Sequence, residues 1–131
     1  MTAKKESFGY SGLANLGNTC FLNSCMQALS HTYELTDLLS SDKYKQVLNN
    51  SLPESGLIEE WNSLRSLMWS QNGIIAPNRF VHNVQQLAVK KDRDLFTGWA
   101  QNDLPEFLLF IVECMHNSMA RPVAVNITGK I

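Results

Sequence analysis

Long apolar runs are missing from this 131-residue sequence. The longest mostly apolar stretch, Leu104 to Met115, is interrupted by Glu106 and Glu113, so it is too short and too charged to cross a bilayer. Clustered positive charge is missing too. Eleven basic residues stand against twelve acidic ones, for a formal charge of -1, and the only short basic pairs are Lys4-Lys5 and Lys90-Lys91. Neutralising phosphates takes a stripe of Lys and Arg, so neither nucleic acid nor a membrane is expected as a partner. Residues 1–11 lack the apolar core of a secretion signal. Cysteine is sparse: Cys20, Cys25 and Cys114 are odd in number and show no CxxC spacing. That pattern argues against a disulfide framework and against a zinc site built from this chain alone. No metal or cofactor is expected, and a reducing compartment, cytosol or nucleus, fits the free thiols. Internal repeats and low-complexity segments are also lacking.

What is present is a globular balance, 44% hydrophobic and 18% charged, in a length that suits one domain with a core. Residues 1–11 read as a flexible polar lead. The stretch Gly12 to Cys20 holds two glycines and two asparagines, residues that favour turns and unusual backbone angles. Phe21, Leu22, Cys25, Met26 and Leu29 then recur at helical spacing, predicting a helix over 19–30. A short helix is predicted over 34–39, and a loop with some helix over 40–50. Ser51-Leu-Pro-Glu54 has the form of a capping box, and Leu57, Ile58, Trp61, Leu64, Leu67 and Met68 give the following helix one apolar face. Pro77 suits a first helical turn, followed by Phe80, Val81, Val84, Leu87 and Ala88. Asp103-Leu-Pro-Glu106 repeats the capping pattern, and Leu104, Phe107, Leu108, Ile111 and Met115 mark one face of the last helix. Val123, Val125 and Ile127 alternate as one strand. A lone strand needs a partner, and no second convincing strand precedes it. The expected class is therefore mainly α, with at most a short strand near the C-terminus.

Cys20 is the residue with chemical promise. A thiol of ordinary pKa is mostly protonated at neutral pH, and a helix N-terminus favours the thiolate through its dipole and free amides. Cys20 falls at such a start, after a Gly-Asn-Thr turn that lets the backbone approach a substrate carbonyl. Asn15, in the same turn, could aim its amide at a developing oxyanion, and one such donor is worth roughly 3–4 kcal/mol in a transition state. The same residues also fit a small cysteine that merely begins a helix.

The block Gly12-Leu-Ala-Asn-Leu-Gly-Asn-Thr-Cys-Phe-Leu-Asn-Ser-Cys-Met-Gln27 resembles the Cys box that opens the catalytic domain of ubiquitin-specific proteases. Phe96-Thr-Gly-Trp-Ala-Gln-Asn-Asp-Leu-Pro-Glu-Phe-Leu108 resembles that family's Gln-Gln-Asp-Ala-His-Glu-Phe-Leu segment, and the likeness covers roughly residues 12–118. It implies the helical, thumb-like lobe of a papain-like α+β cysteine protease fold, with residues 12–131 as the N-terminal half of the catalytic domain. It implies a deubiquitinase that hydrolyses the bond after the ubiquitin C-terminal glycine, with Cys20 as nucleophile and Asn15 in the oxyanion hole. Gln101 and Asp103 match positions that line the channel for the ubiquitin tail, whose arginines suit a carboxylate. Asp103 could equally be a plain helix cap, with Glu106 completing it. The sequence departs from the pattern at Asn102 and at Leu104-Pro105, beside that channel.

A cysteine nucleophile of this type needs a His nearby, itself oriented by a carboxylate or amide. His31 is eleven residues from Cys20, about 16 Å along an unbroken helix. His116 suits packing and His82 a surface role. The family's catalytic His and its Asp or Asn partner come from a later block, so the expected partners are ubiquitin or a ubiquitinated protein and a C-terminal half that completes the domain. This segment alone is then expected to be inactive, and a non-catalytic ubiquitin-binding or scaffold module of the same ancestry is the alternative. Asn23 and Gln27 could simply satisfy backbone groups. Cys25 and Cys114 read as core, and Trp61, Trp69 and Trp99 as core or interface anchors. Exposed apolar surface is expected wherever the other half docks.

Overall fold

A computed structural model describes residues 9–41, 43–70, 72–91, 103–120 and 128–129. Six helices carry the described fold: α1 (Cys20–Ser30), α2 (Tyr33–Ser40), α3 (Tyr44–Val47), α4 (Pro53–Ser70), α5 (Asn78–Lys90) and α6 (Leu104–Met119). Two two-residue strands, β1 (Gly12–Leu13) and β2 (Ile74–Ile75), pair in parallel with Gly12 opposite Ile74 and Leu13 opposite Ile75. The mainly helical class expected from the sequence is what the structure has. The β1–β2 pair was not legible, because two residues are too few to display an alternation. The strand expected over 123–127 lies outside the described residues.

α4 is the central element. Leu57, Ile58, Trp61, Leu64 and Met68 form its buried stripe, spaced at three and four residues as one helix face requires. Phe80, Val81, Val84, Leu87 and Ala88 of α5 pack against α4, with the Trp61 and Phe80 rings 5.8 Å apart. α6 covers α4 and α1. Its stripe is Phe107, Phe110, Ile111, Cys114 and Ser118, so the helix is rotated from the face the sequence predicted. Leu104 and Leu108 are exposed, together with Leu109 and Val112. Apolar residues surround α6, so periodicity alone left its inward face undetermined. Leu67 is likewise 51% exposed rather than core.

The start of α4 departs from a capping box. Asn49 supplies the bond to Ser51 N that was expected of Glu54: its Oδ1 accepts from Ser51 N at 3.1 Å and Ser51 Oγ at 2.6 Å, and its carbonyl accepts from Ser55 Oγ. Glu54 turns inward instead, 6% exposed, meeting Lys91 Nζ at 3.0 Å and Asn117 Nδ2 at 3.3 Å. Burial raises its pKa, but the Lys91 hydrogen bond, its own backbone amide and the Lys91 charge outweigh this and leave it below its ordinary value. An ammonium from the residue that follows α5 and an amide from α6 are better partners for a carboxylate than one backbone N–H.

Candidate active site

The chain entering α1 is fixed by a polar ladder. Asn23, Gln27 and His31 recur every four residues and so share one helix face. Asn23 Nδ2 donates to the carbonyls of Leu13 and Ala14 at 3.3 and 3.1 Å, and Gln27 Nε2 to Ser11 O at 2.8 Å. The His31 ring nitrogens lie 3.0 Å from Gln27 O and 3.0 Å from Gly9 O. Residues 9–14 therefore run along α1, opposite to its direction. On their other side, Gly12 N donates to Gly73 O and Ala14 N to Ile75 O, both at 2.8 Å. Gly9 adopts φ +97°, and a Cβ there would stand 2.8 Å from the Trp69 ring, so both space and conformation call for glycine. The flexible lead expected over 1–11 thus gives way by residue 9 to a segment bonded into the fold; residues 1–8 lie outside the described residues.

Asn15 to Thr19 then make the turn into α1. Gly17 takes φ +112°, a left-handed conformation open to glycine without steric cost. Asn15 Oδ1 accepts from Thr19 N at 3.3 Å and from Thr19 Oγ1 at 3.1 Å, while Thr19 Oγ1 accepts from Leu16 N at 3.0 Å. A backbone N–H can only donate, so the atom facing Thr19 must be the oxygen of Asn15. The Asn15 amide nitrogen is thereby left with no bond among the described residues, on an exposed side chain. Thr19 is buried and its carbonyl accepts the amide of Asn23 at 2.9 Å, closing the first turn. Cys20 is the first residue of α1 and is exposed.

One residue on, Phe21 turns inward and meets Phe107 edge-on, ring centroids 5.4 Å apart at 82°. Phe107 is in the first turn of α6, and its amide donates to the carbonyl of Asp103, the residue preceding that helix. The Phe21–Phe107 contact thus brings the two sequence blocks, around Cys20 and Asp103, to one end of the packed helices. Asp103 is exposed and its side chain makes no capping bond to α6; neither does Glu106 bond back to it. Gln101 lies outside the described residues, as does Trp99.

The other cysteines are placed differently. Cys25 is 3% exposed and Cys114 fully buried. Burial pushes the Cys25 thiol up to about 11. None of the three histidines stands as a base beside Cys20. His31 follows the last residue of an unbroken α1 and is engaged by two carbonyls. His82 is exposed on α5, and His116 is exposed in the last turn of α6, about 20 Å of helix rise beyond Asp103.

The comparisons with known proteins fall on this same framework. The family model described as ubiquitin carboxyl-terminal hydrolase matches residues 11–129. The chain belongs to that family. It is 38% identical over 120 residues to ubiquitin carboxyl-terminal hydrolase 2 of Homo sapiens, covering 89% of this chain and 19% of that protein. It is 38% identical over 120 residues to ubiquitin carboxyl-terminal hydrolase 15 of Bos taurus, covering 88% of this chain and 12% of that protein. With ubiquitin carboxyl-terminal hydrolase 4 of Mus musculus the identity is 36% over 117 residues, 86% of this chain and 12% of that protein. The chain spans a fifth or less of the length of these family members.

Thr19 and His31 escaped the sequence reading as organisers of the site. The four-residue recurrence of Asn23, Gln27 and His31 was the available signal for the ladder. Thr19 gave none, since its role rests on the turn that Asn15 and Gly17 make.

Proposed function

We propose that this chain is the nucleophile-bearing part of a deubiquitinating cysteine protease, working on ubiquitin or a ubiquitinated protein in a reducing compartment. The observation that carries the reading is the clamp on Asn15. Its oxygen is held by Thr19 in the turn that ends at the exposed Cys20, so its amide nitrogen is presented as a donor. In the reaction, the Cys20 thiolate attacks the carbonyl carbon of the terminal glycine. The carbonyl oxygen becomes an oxyanion that Asn15 stabilises, and the leaving amine departs as the thioester forms. Water then hydrolyses the thioester. The proton transfers require a histidine from outside this segment, because His31, His82 and His116 are placed elsewhere. Asp103, uncommitted to its helix, is available to an arginine of the ubiquitin tail, with Gln101 beside it in the chain.

The positions of those histidines favour a second reading for the segment acting alone: a ubiquitin-binding or scaffold module that does not cut. Ubiquitin carrying a C-terminal vinyl ester separates the two. Covalent labelling that Cys20→Ala abolishes supports the protease reading. Ubiquitin binding without labelling supports the scaffold.

A further inference from the structure

Within the polar ladder on α1, His31 is the member whose bonding depends on a proton. It follows the last residue of the helix, and its ring lies between Gln27, the Trp69 indole of α4 and the entering segment at Gly9. Nδ1 is 3.0 Å from Gln27 O, and Nε2 is 3.0 Å from Gly9 O. A carbonyl oxygen only accepts, so each contact needs an N–H on the ring. Neutral imidazole has one N–H and imidazolium has two. Turned over, the ring would set carbon atoms against both oxygens and make neither bond. The two bonds therefore coexist only when His31 is charged. Trp69, with its ring centroid 5.4 Å from that of His31, adds a π surface that attracts a cation.

Loss of the proton turns one nitrogen lone pair towards a carbonyl at hydrogen-bond distance, and one of the two contacts must open. Gln27 is four residues back on the same helix, and its carbonyl also accepts the backbone amide of His31 at 3.2 Å. Gly9 is twenty-two residues away, and the next bond along its segment runs from the Tyr10 amide to Asn72 Oδ1 at 3.2 Å. From Ser11 onward Gln27, Asn23 and β2 hold the chain without His31. The titratable groups on the surrounding elements are Tyr10 of the entering segment and Tyr33, Glu34 and Asp37 of α2. α1 has no charged residue, and Arg65, one turn before Trp69 on α4, is bonded to Asn62. No carboxylate pairs with His31 among the described residues; Lys4, Lys5 and Glu6 lie outside them. We infer that His31 is a proton-operated clasp: as imidazolium it holds Gly9 and Tyr10 against α1 and Trp69, and on deprotonation it releases them while residues 11–14 stay in place. The closed state binds the proton, so acid favours closure and rising pH favours release. The clasp does not depend on the protease reading.

The test is NMR of the full chain at constant ionic strength, which screens distant charges, across the range in which histidine titrates, about pH 5 to 8. Ring-nitrogen correlations read the protonation of His31. Hydrogen exchange, corrected for its intrinsic pH dependence, reads the Tyr10 amide. As His31 loses its proton, Tyr10 protection should fall about fivefold, the loss of one hydrogen bond. The amides of Gly12 and Ala14, bonded to Gly73 and Ile75, should keep their protection. His82 and His116 serve as internal controls, whose titrations should leave Tyr10 unchanged. His31→Gln should remove the pH dependence at Tyr10, and the titration of the unaltered chain decides the matter should that variant not fold. Titration of His31 with Tyr10 protection unchanged would overturn the inference. So would a pH dependence that persists in His31→Gln, or loss of protection at Gly12 and Ala14 together with Tyr10.

Discussion

Cys20 and Cys25 sit five residues apart on the same helix, and they occupy opposite chemical worlds. Cys20 begins α1, exposed, after a turn held by Asn15, Gly17 and Thr19. Cys25 is about 140° further round, pressed into the core where burial pushes its thiol up to about 11. The residue type is the same. The difference comes from where the polar ladder of Asn23, Gln27 and His31 ends and the apolar stripe of Phe21, Leu22, Cys25 and Met26 begins. A helix can therefore offer one thiol for chemistry and use another as packing, with the entering strand deciding which is open.

Several substitutions break or sharpen this contrast. The largest effect is expected from Cys20→Ala, which should eliminate covalent labelling by ubiquitin vinyl ester, while Cys25→Ala leaves labelling intact; gel shift and mass spectrometry read both. Asn15→Ala should weaken the reversible adduct with ubiquitin C-terminal aldehyde by about 10²-fold, since the thiohemiacetal oxygen loses its donor. The buried thiol gives the opposite kind of signature. Its folded pKa is raised from 9.0 to about 11, so the folded state holds the proton more tightly than the unfolded chain does. Stability should then be intact below pH 9 and fall by about 2 kcal/mol as pH rises towards 11. Urea midpoints across that range check it, and Cys25→Ala should flatten the dependence. Thr19→Val keeps the β-branched shape but loses the hydroxyl that joins Asn15 to Leu16, and up to about a thirtyfold weaker aldehyde adduct is expected from the loss of both bonds at about 1 kcal/mol each. Asp103→Asn should be mildest, less than about fivefold in ubiquitin affinity by calorimetry, because an exposed ion pair contributes only about 0.2–1 kcal/mol.

The helices were readable because their apolar residues recur at three and four. The stripe of α5 and the buried face of α1 appear in the structure as the spacing predicts. α6 was readable as a helix but not in its orientation, since Leu104, Leu108, Leu109 and Val112 add an apolar stripe to its outer face. Among the described residues, that outer face is an exposed apolar surface that begins beside Asp103. At the site, the position of Cys20 at a helix head was legible from the glycines and asparagines before it. The clamp on Asn15 was not, because it depends on Thr19 folding back through a turn whose angles composition does not specify. Glu54 was misplaced for a related reason: a capping pattern is local, whereas its partners Lys91 and Asn117 come from distant parts of the chain.

The most direct test is the modification rate of each thiol in the native chain. Iodoacetamide at pH 7.5, quenched over a time course and mapped by peptide mass spectrometry, should place adducts on Cys20 alone, with Cys25 and Cys114 modified only after unfolding in urea. Comparable native rates at Cys20 and Cys25, or a Cys20 that stays unmodified until the fold is lost, would contradict the account.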